Sequence, residues 1–173
     1  MPVRDILQLG NEILWERSAP VSEVGSDEIV TTITDLSDTL ADFRHRRGFG
    51  RGIAAPQLGV LKRVIYVRTE SAGFDGPLIN PEITWRSCGQ MEVWDCCFSF
   101  PSLMVRLVRA REIHVKYLAS TGEERQLKAY GDFSELLQHE IDHLDGILAC
   151  DRALSARDFV TRDEWLRQRR FRT

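Results

Sequence analysis

Apolar residues recur at helical spacing early in the chain. Ile29, Val30, Ile33, Leu36, Leu40 and Phe43 fall on one face and predict a helix from Ser26, its candidate N-cap, to about Arg46. Gly48, Gly50 and Gly52 stop that helix and open a tight loop. The unbroken run "VIYVRT" then reads as a buried strand, followed by a turn at "SAGFDGP". "LINPEITW" is extended and interrupted by Pro81, while "EIHVKYLAS" and "ERQLKAY" flank Thr121, Gly122 and Glu123 as a hairpin. A second helix is expected over residues 133 to about 145, ended by Gly146, and Ser155 is placed to cap a third through "RDFVTRDEWLRQRR". Residues 1–25 show no periodicity. Helix, several strands, helix, short strand, helix is an α+β order, without the regular alternation of a parallel βαβ sheet.

Composition narrows the class. At 173 residues, 43% hydrophobic and 28% charged, residues 1–173 are expected to form a single domain with a sizeable core. The net charge of −3 argues against specific DNA binding, and the apolar runs are too short for a membrane span. The first ten residues do not read as a secretory signal, so the expected compartment is cytoplasmic and Cys88, Cys96, Cys97 and Cys150 are expected to be thiols.

The chemistry is concentrated in "LLQHEIDHLDG". On a helix His139 and His143 share a face and can aim two imidazoles at one metal ion, with Glu140 beside them to take a proton from water. The bland alternative is a polar helix face that is solvated or paired. Leu136, Leu137, Ile141 and Leu144 make the segment apolar enough to be buried, and buried polar groups need partners. A catalytic metal needs a third protein ligand, which this helix lacks. His45 sits in a basic helix end and His114 in an alternating strand, so both read as surface residues, whereas Cys96 and Cys97 offer adjacent thiols.

Three blocks, "GRGIAAPQ" (50–57), "DCCFS" (95–99) and "QHEIDH" (138–143), together with "INPEI" (79–83), resemble the peptide deformylase family in order and spacing. The resemblance implies mixed or antiparallel strands packed around a central helix bearing His139, Glu140 and His143, with a long N-terminal and a C-terminal helix. It implies a divalent metal held by Cys97, His139 and His143: ferrous iron, with nickel, cobalt or zinc as alternatives the ligands accommodate. Glu140 would be general base and acid, Gln57 and the Phe98 amide would bind the formyl oxygen, and Gly52 would let the substrate backbone approach. The implied activity is hydrolysis of the N-formyl group of N-formylmethionyl peptides. Alternatives are an amidase for another formylated or acylated substrate, or a binding homologue without turnover.

The chain departs from the family pattern at Asp95 for glutamate, Cys96 for glycine, Phe98 for leucine and Arg51 for a small apolar residue, and in its "GDFSE" helix entry. Cys96 would be strained if that position has φ > 0. By the resemblance Arg51, Asp132 and Glu135 border the pocket for the methionine side chain, where an unpaired charge is unfavourable. Arg51 and Asp132 are expected to pair with each other or to bind a polar substrate group. Arg167, Arg169, Arg170 and Arg172 make the C-terminus basic, a solvated helix end or a surface for the ribosome.

Overall fold

A computed structural model describes residues 3–170 of the chain. Helix α1 (Asp27–Arg47) buries Ile29, Thr32, Leu36, Thr39, Leu40 and Phe43, whereas Val30, expected on that face, is 52% exposed. Val30 lies about 100° round the axis from Ile29, and the packed stripe runs through two threonines instead. Their hydroxyls are satisfied, Thr32 donating to Glu28 O at 2.7 Å and Thr39 accepting from Arg4 N at 3.2 Å. Ser26 occupies the N-cap but donates to Glu23 O at 3.0 Å and caps no helical N–H. Gly48, left-handed at φ 73°, closes the helix as expected.

The strands are β1 (Gly52–Ala54), β2 (Val64–Thr69), β3 (Phe74–Arg86), β4 (Gln90–Asp95), β5 (Leu103–Ala110), β6 (Glu112–Leu118), β7 (Glu124–Tyr130) and β8 (Phe159–Thr161). They form an antiparallel sheet in the order β1-β2-β3-β6-β7 and a smaller antiparallel one in the order β4-β5-β8. The β6–β7 hairpin turns where Thr121, Gly122 and Glu123 predict it. The expected turn at "SAGFDGP" is shorter, because Phe74–Pro77 already pair with β2. Pro81 does not end β3: the ladder to β6 shifts register between Ile79 and Glu82, so no N–H is missed there. Asn80, at φ 50°, fixes this bulge by exchanging two 2.8 Å hydrogen bonds with the Val21 backbone.

Helix α2 (Asp132–Leu144) is buried from Ser134 to Leu144 and packs against β1, β2, β5 and β7. Leu136, Leu137, Ile141 and Leu144 join Ile65, Val67, Leu78, Ile113 and Val115 of the large sheet in one core. A second core lies under α1, and a third, containing Leu14, Cys97, Val105, Leu107 and Leu148, lies under the small sheet. The two histidines thus sit where the sheets meet.

The third helix starts later than predicted. Ser155 caps only a 3-10 turn, Ala156–Asp158, and the β-branched stretch after it pairs with β5 as β8. Helix α3 (Arg162–Arg170) follows. The α+β class and the antiparallel strands agree with expectation.

Candidate metal centre

Three elements deliver the site. The end of β4 carries Asp95, and the turn after it carries Cys97, Phe98 and Ser99. Helix α2 presents His139, Glu140 and His143, and the short turn after β1 presents Gln57. Cys97, His139 and His143 are all buried, and their candidate ligand atoms lie within 4.8 Å of one another. His143 Nε2 is 3.2 Å from Cys97 Sγ. His139 Nδ1 is 2.9 Å from Asp95, which leaves Nε2 to ligate. One thiolate and two imidazoles suit iron, cobalt, nickel or zinc. Glu140 Oε2 and His143 Nδ1 are buried without a hydrogen-bond partner among the described residues. An orphaned carboxylate oxygen beside one thiolate and two imidazoles fits a site built around a cation and a water.

The surroundings bias the protonation states. Burial pushes the Glu140 carboxyl up to about 7, and Asp95 and Glu135 add to this against the opposing pull of His139 and Arg51. Burial alone would lower His139, but the charge and hydrogen bond of Asp95, with Cys97, raise it well above the ordinary imidazole value. His143 is held well below it, by desolvation first and by its neighbour His139 second. Asp95 stays ionised despite its burial because His139 and Arg109 both bind it.

Gln57 is oriented by the backbone. Its Oε1 accepts from Ala54 N at 2.9 Å, so Nε2 must be the donor that faces Ser99 Oγ at 3.1 Å and Cys97 Sγ at 3.4 Å. Phe98 N–H makes no hydrogen bond to another described residue. The Phe98 ring stacks on Phe43 with centroids 3.8 Å apart. Gly50 makes room for it: a Cβ there would stand 2.4 Å from Phe98 Cζ, at φ +124°. A Cβ at Gly52 would stand 2.5 Å from Glu140 Oε1. Asn80 is the only non-glycine residue with positive φ among the described ones, so Cys96 does not carry the strain its substitution for glycine suggested.

A cavity of about 570 Å³ opens onto this centre, lined by Arg51, Gly52, Gln57, Phe98, Glu135, His139 and Glu140, among others. Arg51 pairs not with the Asp132 side chain but with Glu135, at 2.6 Å, and donates to the Asp132 backbone oxygen at 3.2 Å. The Asp132 side chain is exposed at the start of α2 and does not line the cavity.

Sequence reasoning missed the ionic support. Arg109, 3% exposed on β5, binds both Asp95 and Asp142, and Arg152 binds Asp142 from the other side. Asp142, inside the helical motif, was a visible signal, but its partners lie 33 and 10 residues away. His45 is exposed, and His114 packs on Trp85 at a strand surface, both away from the site.

Residues 3–158 match the family described as polypeptide deformylase. A peptide deformylase of Pelotomaculum thermopropionicum is 38% identical over 165 residues, covering 95% of this chain and all of that one. The crystal structure of peptide deformylase from Thermotoga maritima superposes with a TM-score of 0.80 at 30% identity, covering 90% of this chain and 100% of that one. That of a Synechococcus elongatus peptide deformylase in complex with actinonin gives 0.82 at 30% identity, covering 91% and 82%.

Proposed function

The chain belongs to the polypeptide deformylase family, metal-dependent amide hydrolases that remove the formyl group from N-formylmethionyl peptides, and from that premise we propose which of its residues perform the reaction. Cys97, His139 and His143 would hold the divalent metal, ferrous iron by preference. When bound it supplies Lewis acidity, lowering the pKa of water and polarising the formyl oxygen.

Glu140 takes the proton from the attacking water and delivers it to the peptide nitrogen as the C–N bond breaks, releasing formate and a free amine. A carboxyl raised to about 7 is suited to both directions of transfer near neutral pH. The Phe98 N–H and Gln57 Nε2 donate to the oxygen that gains charge. Both N–H bonds of Gln57 already point at acceptors, so this role requires the longer one, 3.4 Å to sulfur, to be exchanged for substrate. Asp95, itself held by Arg109, keeps His139 in the tautomer that ligates through Nε2. Gly52 gives Glu140 its space.

The observation that carries this assignment is the buried Cys97–His139–His143 trio beside an unpartnered Glu140 oxygen. Formate release from formyl-Met-Ala-Ser by anaerobically iron- or nickel-loaded protein tests it. Glu140→Gln should lower kcat by about 10²–10⁴-fold with metal content retained; undiminished turnover would refute the role of Glu140. The Arg51–Glu135 pair beside Glu140 favours a second reading, a formylated substrate whose first side chain is polar.

We further propose one metallohydrolase domain over residues 1–173, a cytoplasmic location and a ribosome contact through α3. The family match over most of the chain supports the first, and the absence of any described helix long and apolar enough to cross a membrane accords with the second. On α3, Arg167 pairs with Glu164 at 2.8 Å and Arg169 stacks on Trp165 at 4.0 Å, while Arg172 lies outside the described residues. Unchanged ribosome co-sedimentation after neutralising Arg167 and Arg169 would remove the last proposal.

A further inference from the structure

Two of the guanidinium groups lining the cavity have no firm carboxylate partner. Arg44, Arg51 and Arg162 line it together with Asp95, Glu135 and Glu140. Asp95 is bound by His139 and Arg109, Glu135 by Arg51, and Glu140 faces the proposed metal centre. Two guanidinium groups remain. Arg44 has only a 3.7 Å approach to Glu70, whose side chain is 94% exposed, and a 3.5 Å contact to the Arg68 oxygen. An ion pair that exposed holds little.

Arg162 makes no salt bridge to a described carboxylate. Its guanidinium lies 3.6 Å from the Phe49 ring centroid, and its one side-chain hydrogen bond is a weak 3.9 Å contact to Met104 sulfur. Phe49 is in turn held edge-on by Phe43 and Phe98, the residue whose amide is proposed to bind the reacting oxygen. The stacked guanidinium is therefore already ordered, half-buried, and placed with its hydrogen-bonding edge unmatched by any acid. Such an arginine is pre-organised for a carboxylate. A volume of about 570 Å³ suits a ligand of a few residues.

We propose that Arg162, with Arg44 beside the same aromatic cluster, binds a carboxylate of the substrate, so that the enzyme selects short formyl peptides carrying a negative charge close to the formylated residue. The charge is either the peptide's own C-terminus or an acidic side chain. This rests on the deformylase reading of the same cavity.

The test compares metal-loaded wild type and Arg162 variants on formyl-Met-Ala-Ser, its C-terminal amide, and the amide of formyl-Met-Ala-Glu. Wild type should prefer the free acid over its amide by about ten- to a hundredfold in kcat/KM, as for one charge-assisted hydrogen bond, and raised salt should narrow the gap. Recovery with the glutamate amide would show that a side-chain carboxylate suffices; no recovery would assign the site to the C-terminus. Arg162→Gln should raise KM for the acid by a similar factor with kcat unchanged and leave the plain amide untouched, and Arg162→Lys should restore part of the preference. The amide serves as the folding control. Equal turnover of all three peptides by wild type, or an equal loss on acid and amide in Arg162→Gln, overturns the proposal while leaving the deformylase reading intact. Failure of wild type on all three peptides would remove both.

Discussion

A methyl group added at Gly52 would stand 2.5 Å from Glu140 Oε1, inside the space the proposed general base occupies. The backbone there is ordinary β-strand, so Gly52→Ala should displace the carboxylate more than it destabilises the chain. Kcat is expected to fall about 10²-fold, the scale of a 1 Å misplacement, with little change in melting temperature; a large drop in melting temperature at normal kcat would contradict this. The Arg51–Glu135 pair invites the opposite experiment. Arg51→Ile alone leaves a buried carboxylate unpaired, whereas Arg51→Ile with Glu135→Ile replaces both charges by apolar groups, often a neutral or favourable exchange. The double variant should melt above the single one and have a lower KM for formyl-Met peptides. A double variant less stable than the single one would show that the charges are not coupled.

Among elements, α2, β4 and β5 are joined by one buried arginine. Arg109 holds Asp95 at the end of β4 and Asp142 on α2, and Arg152 supports Asp142. Arg109→Met would leave two buried carboxylates without their shared cation, and breaking such a pair costs about 3–5 kcal/mol. Urea unfolding should register a loss of that size, and metal affinity should fall with it, because Asp95 no longer fixes His139. A small edge element contributes to the pH dependence. The Arg106 hydrogen bond holds Asp158 below the usual carboxylate range despite burial. A depressed folded-state pKa contributes stability that is present above the unfolded value, about 3.9, and is lost as pH falls through the folded one. Asp158→Asn should therefore flatten the acid limb of the stability curve below about pH 4, and an unaltered limb would refute the link.

For the whole molecule, the metal is expected to act as a fold ligand as well as a catalyst. Its three proposed ligands come from two elements, the turn after β4 and helix α2, that meet only in the folded state. A ligand at a thousandfold its Kd stabilises by about 4 kcal/mol. Chelation should lower the melting temperature and divalent iron, nickel or zinc restore it, while Cys97→Ser should abolish the shift. Much of this was legible beforehand. Residues four apart on an apolar helix had to share a face, alternation had to give the β6–β7 hairpin, and the three motif blocks pointed to Cys97 and Gln57 as companions of the two histidines. Local spacing determines the shared helix face and the hairpin, because helical and strand periods are properties of the backbone, whereas Cys97 and Gln57 came from the resemblance to the family. Other features depended on which surfaces meet. Val30 faces solvent and Thr32 the core, Ser155 caps a 3-10 turn before an added strand, and Gly52 makes room for Glu140. Arg51 takes Glu135 as its partner, Arg109 bridges two carboxylates, and Arg162 faces the cavity from the last helix. Only the tertiary structure decided these, because burial and ion pairing depend on distances between residues far apart in the chain, and one sequence carries no measure of those distances.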